Sequence, residues 1–447
     1  MQPRSWGARP RGGFCAESVT IAPMLDAGAD KQLPSPHAAA STRPSRGATL
    51  AIIVAALGYF VDLFDIVLFS ILRIPSLKSL GITEAAELKS LGKHLLDLQL
   101  IGMLCGGLVF GMLGDKFGRL KVLFGSILVY SIANLLNAFI TEVWHYEVLR
   151  FVAGFGLAGE LGAGVTLVSE LLPTARRGLA TTLVAAVGLC GAVAAGIAAQ
   201  FFEWYQCYLI GGLLGLLLLI LRIGVVESGL FHLARKSTGV SLGNPLQLLW
   251  PPKRLARFAC VVLGGLPIWF VGGVMFIFAP EIGVALEYPT PISPAKVIMF
   301  SYSGVVVGDI VCGLWSQYLR SRRYAIISFQ CILAASIVLF INAEAVSEVR
   351  FYWMMAGVGA ATGFWAVIIT MAGEQFGTNL RATAATSAPN FIRATAVPVT
   401  WIWFWLTPSL GTASATMWLG LGCCVVGICA MTCLKETFDR DLDYLES

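Results

Sequence analysis

From residue 48 onward the chain is a succession of apolar segments, each close to the ~20 residues that carry an α-helix across a bilayer, and no other feature constrains its fold as strongly. Twelve such segments run roughly 48–72, 95–114, 120–140, 146–171, 178–202, 205–225, 257–281, 294–316, 324–342, 350–373, 383–408 and 411–434. Lipid offers no partner to backbone polar groups, so segments of this length fold as helices. Only 13% of residues are charged, and a soluble domain carries roughly twice that, so the outer surface must face lipid. A polar stretch at 226–256, broken by Pro251 and Pro252, divides the segments six and six. The expectation is an all-α integral membrane protein with twelve transmembrane helices in two six-helix halves, 48–225 and 257–434. A linker at 226–256 joins them. Flanking tails at 1–47 and 435–447 read as cytoplasmic, the first disordered because it is rich in Arg, Pro, Ser and Gly and has no apolar core. It also lacks the apolar run of a secretory leader.

Basic residues set the orientation. With both termini inside, the inner loops hold Lys116, Arg119, Lys121, Arg176, Arg177, Arg235, Lys236, Arg320, Arg322, Arg323 and Arg381, while the short outer loops are mostly acidic. Basic loops on the cytoplasmic side follow the positive-inside rule and predict a multi-pass protein of the cell's inner membrane. A net charge of +5, spread over loops, gives no nucleic-acid surface. Most of the eleven Cys fall in apolar runs without a CxxC pair, and act as small hydrophobes; neither metal nor cofactor is expected. No GxxxxGK[ST] stretch offers an ATP site, and no Ser/His or metal constellation supports an enzyme.

Between the second and third segments lies Gly111-Met-Leu-Gly-Asp115-Lys-Phe-Gly118-Arg119-Leu-Lys121, and a weaker copy, Gly313-Leu-Trp-Ser-Gln317-Tyr-Leu-Arg320, recurs 202 residues later. Glu170-Leu-Leu-Pro173-Thr-Ala-Arg-Arg177 likewise recurs as Glu374-Gln-Phe-Gly377-Thr-Asn-Leu-Arg381, at an offset of 204 with the same seven-residue spacing from Glu to Arg. Two motifs with one period imply internal duplication. The Gly-rich loop, its copy and the Arg150-to-Glu160 run resemble the major facilitator superfamily. Within it they resemble the branch of sugar, phosphate, aromatic-acid and metabolite proton symporters. A Glu227-Ser-Gly-Leu-Phe231 stretch after the sixth segment matches that branch in part, with Val226 and Gly229 in place of two prolines. The resemblance implies the major facilitator fold, alternating access, and a cytoplasmic gate formed by Gly111, Asp115, Gly118, Arg119, Glu170, Arg177, Glu374 and Arg381. Asp115 and Arg177 are suited to pair across the loops.

Charges inside the segments carry the functional signal, because each costs ~2.5–3.5 kcal/mol on insertion scales. Asp62 and Asp65, three apart, share one helix face that must look into the bundle or a wet cavity. By resemblance to sugar porters, Asp65 and Arg150 form the proton switch. The physics agrees, since a fixed guanidinium favours the ionised acid while burial favours the neutral one. Asp62 and Glu160, the latter set among glycines, assist. Trp269, Asp309, Trp365, Asn390 and Arg393 are candidate cavity residues. Arg393 is placed either to hold an anionic substrate or to snorkel to the inner interface. Pro267, Pro389 and Pro398 are expected to kink their helices.

Together these point to a secondary transporter that moves a small polar or anionic metabolite with protons, needs lipid and no cofactor, and acts as a monomer. An antiporter or drug exporter is the alternative. The fifth segment has Gly188, Gly191 and Gly196 but lacks the Pro common in exporters. A non-transporting nutrient receptor would carry a larger soluble extension.

Overall fold

The structure, a computed structural model, describes residues 46–117, 119–159, 174–227 and 251–438. The tail 1–45, Gly118, residues 160–173, most of the 226–256 linker and 439–447 lie outside the described residues, so the expectations for the two tails and for Glu160 and Glu170 rest on sequence alone.

Among the described residues the fold is helical. The first group is α1 (Arg46–Ser79), α2 (Ala85–Phe117), α3 (Arg119–Asn137), α4 (Val143–Leu157), α5 (Thr174–Phe201) and α6 (Trp204–Glu227). The second group is α7 (Pro252–Phe270) running into a π turn (Val271–Phe276), a short α8 (Ala279–Ala285), α9 (Pro294–Tyr318), α10 (Arg322–Ile341), α11 (Glu348–Ala361), α12 (Trp365–Glu374), α13 (Thr378–Ala394), α14 (Ala396–Leu410) and α15 (Thr412–Cys433). Eight helical stretches are long and apolar enough to cross a membrane by length and composition. Several extend past their apolar segments: α1 and α2 reach the short turn at 80–84 and carry Lys78, Lys89 and Lys93 as helical residues. Large apolar side chains such as Leu217, Ile220, Val307, Leu314, Leu339 and Trp405 are exposed around the outside, as a lipid-facing surface requires.

Packing partners in the first group recur in the second. Contacts of α1 with α5 and α6, of α2 with α4, and of α3 with α6 are matched by those of α7 with α13 and α15, of α9 with α11, and of α10 with α15. The groups meet through α5 against α9 and, reciprocally, α2 against α13 and α14. In lipid, close packing of small residues replaces hydrophobic exclusion as the glue. At Gly102 and Gly106 of α2 any Cβ would run into the backbone of Phe151 and Phe155 in α4, and at Gly154 into the Gln99 carbonyl. The same contacts reappear at Gly304 and Gly308 of α9 against Ala356 and Ala360, and at Gly359 against the Ser301 carbonyl. The first two glycines of each set are 202 residues apart, the period of the loop motif.

Breaks in helices fall where α7, α11–α12 and α13–α14 face the interior. Pro267 and Pro389 lie inside α7 and α13, whereas Pro398 sits in the first turn of α14 and follows the break at Thr395 rather than making it. The interruption at Thr362-Gly363-Phe364 has no proline: Gly363 is pressed on the backbone of Gly308 and Asp309, and the Asp309 carboxylate accepts the Ala366 N–H at 3.0 Å, capping the new helix.

Candidate transport site

The two aspartates of α1 are fully buried, Asp62 at 0% and Asp65 at 1% exposure. Asp62 Oδ2 lies 3.7 Å from Nη2 of Arg393, itself 1% exposed, so the contact crosses between the two helix groups. Arg393 occupies the last turn of α13, where unsatisfied carbonyls favour a cation. Its position is therefore interior, and the interfacial alternative left open by the sequence does not apply. The guanidinium stands 5.9 Å from the Trp365 ring centre, and Trp365 Nε1 donates to the Tyr59 hydroxyl at 2.9 Å, tying α12 back to α1. Asn390, one turn before Arg393, donates to the Ala158 carbonyl at 3.3 Å and packs against Gly107 of α2.

Asp65 lies one turn along α1, its Oδ1 packed close against Gly211 of α6. Arg150 donates instead to Asn134 Oδ1 at 2.9 Å, and its guanidinium lies 5.0 Å from the Tyr208 ring and 5.8 Å from those of Tyr146 and Phe69. Tyr146 and Tyr208 share a 2.6 Å hydroxyl contact, extended by Ser76 at 3.1 Å. Arg150 is thus held in an aromatic cage within the first group, while Asp62 is set against Arg393 across the groups.

A small cleft opens one helical turn beyond the Asp62–Arg393 pair, about 6 Å along α1. Ser70 of α1, Gln99 and Met103 of α2, Trp269 and Phe276 of the seventh helix and Tyr302 of α9 line it. The end of the bundle beyond the cleft, at the 80–84 turn, is closed by links between the groups. Arg73 Nη2 donates to Glu281 Oε1 at 2.7 Å and to the Ile277 carbonyl at 3.1 Å, with its guanidinium 4.8 Å from the Phe278 ring centre. Lys93 pairs with Asp97 at 2.5 Å, Asp97 accepts Trp401 Nε1 at 2.8 Å, and Lys89 lies over Trp403.

At the opposite end Glu374 forms part of a different network. It pairs with Arg322 at 3.4 Å and accepts the Thr437 hydroxyl at 2.7 Å, while Glu436 accepts from Ser321 and from the N–H groups of Arg322 and Arg323. Burial works against the Glu436 charge, but the Ser321 hydroxyl and the backbone N–H groups of Phe438, Arg322 and Thr437 outweigh it and hold the carboxyl below its ordinary value. Of the remaining gate residues, Gly111 and Asp115 fall in α2, Arg119 opens α3, Arg177 lies in α5 and Arg381 in α13; nothing further about these side chains lies within the described residues, nor about Gly118, Glu160 and Glu170.

Tyr59, Arg73, Gln99, Tyr302 and Glu436 were not singled out in the sequence. Arg73 had a visible signal, a third charge in the first apolar helix. Gln99 and the two tyrosines had none, because polar and aromatic residues in a spanning helix are common and only packing shows which ones point inward.

Comparison with known proteins agrees with this geometry. The family model described as Major Facilitator Superfamily matches residues 55–394. The niacin transporter NiaP of Acinetobacter baylyi is 24% identical over 363 residues, covering 74% of this chain and 81% of the relative. The 3-(3-hydroxy-phenyl)propionate transporter of Escherichia coli is 25% identical over 297 residues, 65% of this chain and 71% of the relative. The 4-hydroxybenzoate transporter PcaK of Pseudomonas putida is 38% identical over 141 residues, 30% of this chain and 32% of the relative. A buried ion pair joining two similarly packed helix groups, in a chain whose loop motif repeats and whose family match spans most of its length, identifies a multi-pass membrane protein that belongs to the major facilitator superfamily of transporters.

Proposed function

We propose that this transporter is a proton-coupled symporter of small aromatic carboxylates, working by alternating access. It spans the inner membrane twelve times in two six-helix halves, 48–225 and 257–434, joined by a cytoplasmic linker, with both termini inside. On this reading the end closed by Arg73–Glu281 and the Lys93–Asp97–Trp401 cluster faces outward. The basic loops on the other side support that orientation, and the duplicated packing supports a rocking motion of one half against the other.

The observation that carries the reading is the Asp62–Arg393 contact. Arg393 remains charged at any working pH. A substrate carboxylate needs its guanidinium fork, yet two carboxylates on one guanidinium in a buried site repel each other. A proton on Asp62 removes that conflict and leaves Arg393 to the substrate. Proton and anion then load together, so the loaded carrier rocks without added charge. Asp65, one turn away on the same face, stands as the second proton position, and Arg150 in its cage sets the field around both acids. Glu160 completes this group by sequence.

The aromatic part of the proposal rests on Trp269 and Tyr302 in the cleft lining and Trp365 beside Arg393, and on relatives named for niacin, 4-hydroxybenzoate and 3-(3-hydroxy-phenyl)propionate, each an aromatic acid. Asp309 and Asn390 position helices at this site: the first caps α12, and the second bridges the halves.

The test is uptake of radiolabelled 4-hydroxybenzoate into proteoliposomes holding an internal pH dye. An acid-outside gradient is expected to drive accumulation and internal acidification together, with nicotinate and benzoate competing, and Arg393→Gln is expected to lower uptake at least a hundredfold. Uptake indifferent to the gradient, or competition by organic cations rather than acids, would overturn the proposal.

A further inference from the structure

The cleft beyond the ion pair holds two buried polar atoms that find no hydrogen-bond partner among the described residues: the acceptor Gln99 Oε1 and the donor Trp269 Nε1. Gln99 is 2% exposed. Buried polar atoms are nearly always paired, and an orphan in a cavity calls for an explanation. The two residues that carry them, one with an unpaired acceptor and one with an unpaired donor, line the same small cleft. A hydroxyl is the simple group that both donates and accepts, so it satisfies the two at once.

The cleft reaches the level of Arg393 in the bundle. Gly265 packs on Ile392 and Gly273 on Ala396, which puts Trp269, between the two glycines, at the level of Arg393. Tyr302 of α9 lines the cleft. The π turn Val271–Phe276, a distortion of a kind that recurs at functional sites, contributes Gly272 and Phe276 to the cleft wall. At Gly272 of this turn an added Cβ would meet only the Trp269 ring, at 3.8 Å, so the wall stays thin beside the indole. Trp269, Tyr302 and Phe276 are the aromatic residues of the lining.

We propose that this cleft is a specificity subsite for a ring hydroxyl at the end of the substrate away from its carboxylate, with Gln99 accepting from the hydroxyl and Trp269 donating to it. The inference rests on the aromatic-carboxylate reading above and narrows it to hydroxylated aromatic acids. A site built to hydrogen-bond a hydroxyl discriminates strongly against the analogue that lacks it, because that analogue leaves the buried partners unpaired. Pyridine-3-carboxylate, whose ring nitrogen only accepts, satisfies Trp269 alone and should rank between.

The experiment is competition by 4-hydroxybenzoate, 3-hydroxybenzoate, nicotinate and benzoate against labelled 4-hydroxybenzoate in counterflow, on the purified, reconstituted protein. At least one hydroxybenzoate is expected to compete at a concentration tenfold or more below benzoate, with nicotinate between. Gln99→Met keeps the side chain's length and removes its acceptor; Trp269→Phe keeps a ring and removes the donor. Each should bring the ratio of hydroxybenzoate to benzoate close to one while benzoate exchange continues. Thermal shift in detergent with each acid reports binding to a variant that transports poorly. Equal competition by benzoate and both hydroxybenzoates in the wild type, or an unchanged ratio in both variants, overturns the subsite and leaves the carboxylate reading standing. Failure of all four acids to compete or to shift melting overturns the carboxylate reading, and the subsite with it.

Discussion

Arg393 and Asp62 are exposed by 1% and 0%, so neither charge has water to fall back on. Removing one member of such a pair takes this partner from a buried charge, which costs about 3–5 kcal/mol. Arg393→Gln should therefore lower the melting temperature in detergent, whereas Asp62→Asn with Arg393→Gln should recover part of that loss, since the buried carboxylate is gone as well. Equal melting of the single and double variants would show that the pair is not coupled. The sequence made the aspartates legible, because two acids three apart in an apolar helix admit few readings. It also made Arg393 visible as a charge. What it could not supply was the partner. Asp65 was expected opposite Arg150, but Arg150 is hydrogen-bonded to Asn134 and ringed by Tyr208, Tyr146 and Phe69. Which acid of the face meets Arg393 depends on a fraction of a helical turn, and that is set by the approach of α13, not by spacing within α1.

Between elements, the glycine contacts make the sharpest forecasts. At Gly154 and Gly359 the position of a Cβ is occupied by a backbone carbonyl of the neighbouring helix, Gln99 and Ser301 respectively. Backbone yields less easily than a side chain, so Gly154→Ala and Gly359→Ala should each destabilise by about 1–3 kcal/mol. Gly357→Ala, which meets nothing within 4 Å, should be close to neutral. Melting of the three variants side by side checks this, and equal effects at all three sites would contradict it. At the end near the C-terminus, Glu436 ties 434–438 to the start of α10. Its carboxyl is held below its ordinary value of 4.5, so the stabilisation is present above that pH and disappears as pH falls through the depressed value. Protease clipping of this segment should rise in the wild type as pH falls through that depressed value, and Glu436→Gln should be clipped at the higher rate already at pH 7. Helix existence was readable from the apolar runs. The break at Thr362–Phe364 and the π turn were not, because neither carries a proline, and both arise from how α12 and α7 meet their neighbours.

At the scale of the molecule, duplication was legible twice: first as two loop motifs with one period, then as matching glycine contacts 202 residues apart. The conformational state was not legible, since it lies in the contacts that join the helix groups. Here these contacts close the end around Arg73, Lys93 and Trp401. A cysteine pair replacing Lys89 and Phe404, whose side-chain ends lie against each other, should be bridged by a bifunctional methanethiosulfonate reagent in a background stripped of other reactive thiols and stop uptake, with reduction restoring it. Full uptake in the cross-linked protein would show that this end need not open. The central claim is that one proton on Asp62 releases Arg393 to the substrate anion, and it is tested most directly by comparing two modes of transport in Asp62→Asn proteoliposomes. The variant holds the site permanently in the uncharged form. Counterflow exchange of 4-hydroxybenzoate should persist, because the loaded carrier still rocks, while accumulation driven by an acid-outside gradient should fall to background. Gradient-driven accumulation at the wild-type level in Asp62→Asn would contradict the account.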